Sequence, residues 1–98
     1  MASQRSEEEY QELLDLFKAN ETFPTVFIHK FIGQNTPEFL KDVELWKSDY
    51  SKMKERSRRF STDQKHCALT FECTVETAEE IIEIFKTTAK ISGLKMVL

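Results

Sequence analysis

Two apolar stretches of eight residues, each followed by a helix-start signal, most constrain what this chain can fold into. Residues 25–32 (TVFIHKFI) are β-branched or aromatic with few polar interruptions, which is typical of a central strand at least partly covered on both faces. Residues 66–73 (HCALTFEC) instead alternate, so one set of side chains points inward and the other outward. The predicted inner set is Cys67, Leu69, Phe71 and Cys73, and the predicted outer set is His66, Ala68, Thr70 and Glu72.

Each of these strands leads into a predicted helix. Thr36-Pro37-Glu38 supplies a hydroxyl N-cap, a proline at the first helical position and an acid in the first turn. Residues 77–80 (TAEE) fit the capping-box pattern, and Ser92-Gly93 ends that second helix before a last short strand over 94–98. Apolar residues recur at helical spacing, at Phe39, Val43, Trp46 and Tyr50 and again at Ala78, Ile81, Ile82, Phe85 and Ala89.

The segment between the two units completes the topology. We predict an edge strand over 52–58, protected from aggregation by its charge, and then a mobile hairpin loop over 59–65. The order βαββαβ has one common packing, the α+β ferredoxin-like sandwich of a four-stranded antiparallel sheet with two helices on one face. Right-handed crossovers place strands 25–32 and 66–73 in the centre. We therefore predict one domain over 23–98.

A short acidic amphipathic helix precedes that domain, within an extension over 1–22. Ser6 is its predicted N-cap, and its apolar stripe is Tyr10, Leu13, Leu14 and Phe17. One face of a ferredoxin-like sheet is free of helices. Whichever set of alternate residues of strand 25–32 points to that face, it leaves large apolar side chains there. Two alternatives stay open: the leading helix covers this face, or a dimer or partner protein does.

Composition excludes several classes of protein. The 98 residues carry a net charge of −3 and contain no apolar run near 18 residues, so we expect no membrane span and no general coating of nucleic acid. The N-terminus lacks the apolar core of a signal peptide, so we expect a cytoplasmic protein. Cys67 and Cys73 lie roughly 20 Å apart along one strand, too far for a disulfide, and we expect buried free thiols.

The chain offers little for catalysis, and we expect neither an enzyme nor a cofactor. Its two glycines stand alone, so there is no phosphate-binding loop, and the cysteine spacing does not match a metal site. The nearest catalytic arrangement pairs His29 with Cys67 or His66. A histidine on a central strand that bonds to a neighbour is the favoured interpretation. The helix start near Gly33 and Thr36 has two interpretations. Its free N–H groups bind a small anionic effector, or Thr36 simply caps the helix, and we favour capping.

The cationic edge strand is the most distinctive surface feature. Residues 47–66 carry seven bases and three acids, a net +4, so the remainder of the chain carries −7. Alternation along the predicted strand would project its four bases to one face, where they would attract an anionic partner. Solubilisation of the edge is the alternative. The candidate partner-binding residues are Lys52, Lys54, Arg56 and Arg58.

Several short motifs resemble a known bacterial family. They are Phe23-Pro24-Thr25, Phe27, Lys30, Gly33-Gln34, Pro37-Glu38, Lys90-Ile91 and Met96-Val97-Leu98. Together, over roughly residues 23–98, they resemble the YbeD-like family of small cytosolic proteins of unassigned function. The resemblance implies a fold similar to that of ACT regulatory domains and, more weakly, a connection with lipoate metabolism. It implies no catalytic residues.

Two functions follow as expectations. The first is a non-catalytic regulatory or binding module that recognises a protein partner through the basic edge, with a homodimer formed by edge pairing as a variant. The second, less favoured, is single-stranded nucleic-acid binding by the open sheet face and the basic hairpin. That function would need aromatic side chains such as Phe27 and Phe31 on the open face.

Overall fold

The computed structural model describes residues 5–98 and has the predicted architecture. The elements are α1 (Glu7–Asn20), β1 (Thr25–Gln34), α2 (Pro37–Ser48), β2 (Lys54–Phe60), β3 (His66–Val75), α3 (Ala78–Thr88) and β4 (Leu94–Val97). The four strands form one antiparallel sheet in the order β2-β3-β1-β4, so β3 and β1 are central as predicted. The fold is therefore α+β and ferredoxin-like with an additional N-terminal helix. Residues 1–4 of the predicted extension over 1–22 lie outside the described part of the chain.

Helix caps begin the helices where the sequence places them. The Thr36 hydroxyl accepts a hydrogen bond from the backbone N–H of Phe39 (3.2 Å), and Pro37 occupies the first turn of α2. The Thr77 hydroxyl accepts in the same way from Glu80 (3.3 Å) at the start of α3. Each cap satisfies a backbone donor that has no partner within its own helix, which fixes where each βα unit turns.

The core lies between the sheet and the helices. The predicted inner face of β3 is buried, and β1 contributes alternate residues to the same layer. Gly33 allows α2 to pack closely against β1, because a Cβ at this position would lie 2.0 Å from Cε1 of the buried Phe39 ring. This contact fixes α2 against β1. The largest fully buried side chains include Phe31, Phe39, Phe71, Leu69, Ile81 and Ile84.

The leading helix packs on the helix side of the molecule. Tyr10 is buried, and the Phe17 ring lies 6.3 Å from Phe27 and 6.2 Å from Phe85 of α3. Lys18 reaches Glu79 at 2.9 Å. The interpretation in which α1 covers the free face of the sheet is therefore wrong, because its apolar stripe is used beside α3.

The cationic strand differs from its prediction in bounds and in register. It runs over Lys54–Phe60, so Lys52 lies before it and Arg59 belongs to the strand rather than to the loop. The Ser61 hydroxyl and carbonyl close a shorter turn by accepting from the backbone N–H groups of His66 (3.0 Å) and Gln64 (2.9 Å). A β-bulge between Glu55 and Ser57 inserts an extra residue against β3. The alternation of side chains between the two faces of the sheet therefore does not continue through the strand.

Candidate functional site: the open face of the sheet

The bulge divides the predicted basic stripe between the two faces of the sheet. Lys54 pairs in register with Glu72, an outward residue of β3, whereas Arg58 pairs with the inward Leu69. The prediction that all four bases share one face is wrong, because the extra residue at the bulge reverses the alternation after it. Lys52 lies outside the strand altogether.

Three of the four predicted binding residues are already engaged by carboxylates. Arg56 donates two hydrogen bonds to Glu72 (3.0 and 2.9 Å), and Lys52 lies 3.5 Å from Glu76. Arg58 donates two hydrogen bonds to Glu55 (both 2.9 Å) on the helix side. These bonds hold the pKa values of both Glu55 and Glu72 below the usual range, so the pairs persist near neutral pH.

Lys54, the fourth predicted binding residue, shares the open face with two cations that were not in the predicted set. Lys30 of β1, Lys54 and Arg59 point to this face by register. Among residues 5–98, none of these three forms an ion pair. Glu72, the one acidic side chain that the described strands place on this face, is bound by Arg56. The side chains of the open face therefore carry a net positive charge.

An apolar strip crosses the same face. It runs along β1 and β4, and α1 does not cover it. We define it by four exposed side chains: Val26 (53% exposed), Ile28 (49%), Met96 (50%) and Leu98 (66%). The register Ile32↔Met96 and the hydrogen bond from the Leu98 N–H to the Lys30 carbonyl (2.9 Å) hold β4 and the following residue beside β1. An exposed apolar strip of this kind is typical of an interaction surface.

The aromatic residues of β1 lie on the opposite face. Phe31 is fully buried against Phe71 (5.6 Å between ring centroids), and Phe27 contacts Phe85 of α3 at 5.7 Å. The outward residues of β1 and β3 include no phenylalanine, tyrosine or tryptophan. The stacking surface that nucleic-acid recognition would need is therefore not present on these two strands.

His29 is a core residue. It is 1% exposed, and its Nε2 lies 3.0 Å from the Thr88 hydroxyl, which confirms the interpretation that it bonds to a neighbour. That hydroxyl donates to the Ile84 carbonyl (2.6 Å), so Nε2 carries the hydrogen and Nδ1 is left buried without a partner. Burial lowers the pKa of His29 to about 4. The ring is therefore neutral near pH 7.

The remaining sequence candidates are structural. Cys67 and Cys73 are buried and free, and burial raises the pKa of both thiols, so they stay protonated. The anion-effector position at the start of α2 is occupied by the Thr36 side chain itself. Among residues 5–98, no three His, Cys, Asp or Glu side chains come together as a metal site would require. Within the same range, no helix has the length and apolar character needed to cross a bilayer.

A family model described as "Protein of unknown function (DUF493)" matches residues 18–98. The chain belongs to the DUF493 family. YbeD-like proteins are members of DUF493, so the resemblance seen in the sequence is confirmed at the level of the family. No curated protein and no solved structure matches the chain. Most of α1 precedes the region that DUF493 matches.

The motifs that resemble this DUF493 group divide into two sets in the structure. Gly33 and Pro37 serve the fold, through the Phe39 contact and the first turn of α2. Lys30, Met96 and Leu98 instead lie together on the open face. Sequence reasoning left open whether Val26 and Ile28 or Phe27 and Phe31 point outward, and it placed Arg59 in the hairpin loop rather than on the face.

Proposed function

We propose that this DUF493 chain is a non-catalytic binding module that recognises a protein partner through the open face of its sheet. The observation that supports the proposal is the apolar strip of Val26, Ile28, Met96 and Leu98, which the leading helix leaves uncovered. The predicted basic edge takes part through Lys54 and the paired Arg56, which lie on β2 beyond Glu72 in the row of Ile28, rather than as a stripe of four bases.

Charge on this face defines the chemistry of the partner. Lys30 interrupts the strip, and Lys54 lies two strands away in the row of Ile28. Apolar side chains flanked by unpaired cations complement a segment with apolar side chains flanked by Asp or Glu. Desolvation of the apolar groups would supply most of the affinity, and the charges would supply orientation and association rate.

The proposal is tested by capture followed by binding of the purified partner. The parent protein is used as bait in nuclease-treated lysate of the source organism, and each captured protein is purified and titrated. The family resemblance makes enzymes of lipoate metabolism the first purified candidates to titrate. The double variant Ile28→Ser/Met96→Ser is expected to weaken the complex by at least about tenfold, since each loses a large apolar contact.

A matched control exists on the helix side. Leu16 and Leu45 are each 58% exposed, so Leu16→Ser/Leu45→Ser removes comparable apolar surface away from the sheet face. This control should bind like the parent. Equal weakening by both double variants, or capture from untreated lysate that is lost in nuclease-treated lysate, would contradict the proposal. A concentration-dependent dimer that Ile28→Ser/Met96→Ser disrupts would instead make a second copy the occupant of the face.

A further inference from the structure

A cavity of about 530 Å³ lies on the open face next to the apolar strip, on its β2–β3 side. The polar side chains that line it come from three neighbouring strands, and the apolar side chains of its lining include Ala68 and Leu98. A volume of this size is within the range of small-molecule sites in proteins, roughly 300–1,000 Å³. Its polar lining is formed by Lys30, Ser57, Arg59 and Thr70.

The register of the sheet brings these four residues together. Lys30, Thr70 and Ser57 are aligned across β1, β3 and β2, a row that spans about 10 Å at the usual strand spacing. Arg59 lies two residues further along β2, in the row of Ala68. The two long cationic side chains therefore reach the cavity from the two strands that flank β3.

None of these four side chains has a partner among residues 5–98. No hydrogen bond or ion pair of the described part involves Lys30 Nζ, the Arg59 guanidinium, or the hydroxyls of Ser57 and Thr70. The neighbouring Arg56 is by contrast neutralised by Glu72. The cavity thus presents two positive charges and several donors, and no Asp or Glu side chain lines it.

We propose that this cavity binds the phosphate group of a small phosphorylated molecule. A phosphate monoester carries a charge of about −1.5 to −2 and three strongly accepting oxygens, which match two cations and two hydroxyl donors better than one carboxylate does. The remaining volume accommodates the organic part of the molecule over the apolar lining. This site adjoins the surface proposed for protein recognition and shares Lys30 and Leu98 with it, whereas Ser57, Arg59 and Thr70 line the cavity alone.

The test is a titration with phenyl phosphate, and separately with inorganic phosphate, at constant ionic strength. Backbone amide NMR shifts of Ser57, Ala68 and Thr70 are expected to saturate with phenyl phosphate. Arg59→Gln should weaken binding by about tenfold or more, since it removes a charge-assisted contact. Thr70→Val, which changes no charge, should weaken binding several-fold.

Two controls separate a specific site from general attraction of anions. Lys54→Gln removes one charge from the same face outside the cavity and should change the affinity by less than about threefold. Ile28→Ser, which damages the proposed protein surface, should leave phosphate binding unchanged. Shifts that fail to saturate, or equal weakening by Arg59→Gln and Lys54→Gln, would overturn the proposal. All the substituted side chains are at least partly exposed, and a thermal melt of each variant verifies that it folds.

Discussion

Replacing His29 with phenylalanine is expected to make the protein less sensitive to mild acid. His29 is enclosed by the rings of Phe27, Phe31, Trp46 and Phe85, with centroids 5.4–6.0 Å away. Its protonation would add an N–H at Nδ1, which has no partner in this core. Phenylalanine keeps a planar aromatic ring, although a larger one, and removes that group. The Thr88 hydroxyl still donates to the Ile84 carbonyl in the variant.

The magnitude follows from proton linkage. The pKa of His29 is about 4 in the folded protein, against 6.5 for an ordinary histidine. Above pH 6.5 the ring is neutral in both states and the free energy of unfolding does not depend on it. Between pH 6.5 and 4 the unfolded state takes up the proton first, so stability falls by about 3 kcal/mol in total, at about 1.4 kcal/mol per unit. About 2 kcal/mol of this loss occurs between pH 7 and 5.

The assay is urea unfolding of the parent and His29→Phe at pH 7, 6 and 5, a range above the ordinary titration of the carboxylates. The parent should lose about 2 kcal/mol more than the variant between pH 7 and 5. His66→Gln is the matched control, because it removes the exposed histidine, and it should behave like the parent. Equal pH dependence in the parent and His29→Phe would refute the reasoning.

Three further substitutions test the packing and the surface pairs. Gly33→Ala should lower the free energy of unfolding by about 1–3 kcal/mol in urea titrations, because the new methyl group collides with the Phe39 ring. Thr87→Val should cost about 1–2 kcal/mol in the same assay, since its hydroxyl accepts from Trp46 Nε1 (3.0 Å); an unchanged midpoint would contradict that contribution. Arg58→Gln should cost less than about 1 kcal/mol, and 0.5 M NaCl should reduce the difference, as expected of exposed ion pairs.

The architecture was predictable because several local signals agree. Thr36 and Thr77 cap the two helices, and the alternation of β3 gives the buried set without ambiguity. The order of the elements then leaves one common packing. Agreement between capping, periodicity and topology is what makes a sequence specify its fold.

The functional face was harder to predict for identifiable physical reasons. Both sets of alternate residues in β1 are apolar, so periodicity could not choose between Phe27 and Ile28 as the inward residue. Contacts distant in sequence decide it, such as the bond between His29 and Thr88. A bulge beside Arg56 depends on pairing with β3, and nothing in the polar sequence of β2 indicates it.

The most direct test of recognition by the open face is a methyl and amide NMR titration with a purified partner. We expect the shifts to concentrate at the apolar strip, at Val26, Ile28, Met96 and Leu98, while Leu16 and Leu45 on the helix side stay unchanged. Shifts confined to Leu16, Leu45 and their neighbours, with the strip unaffected, would contradict it.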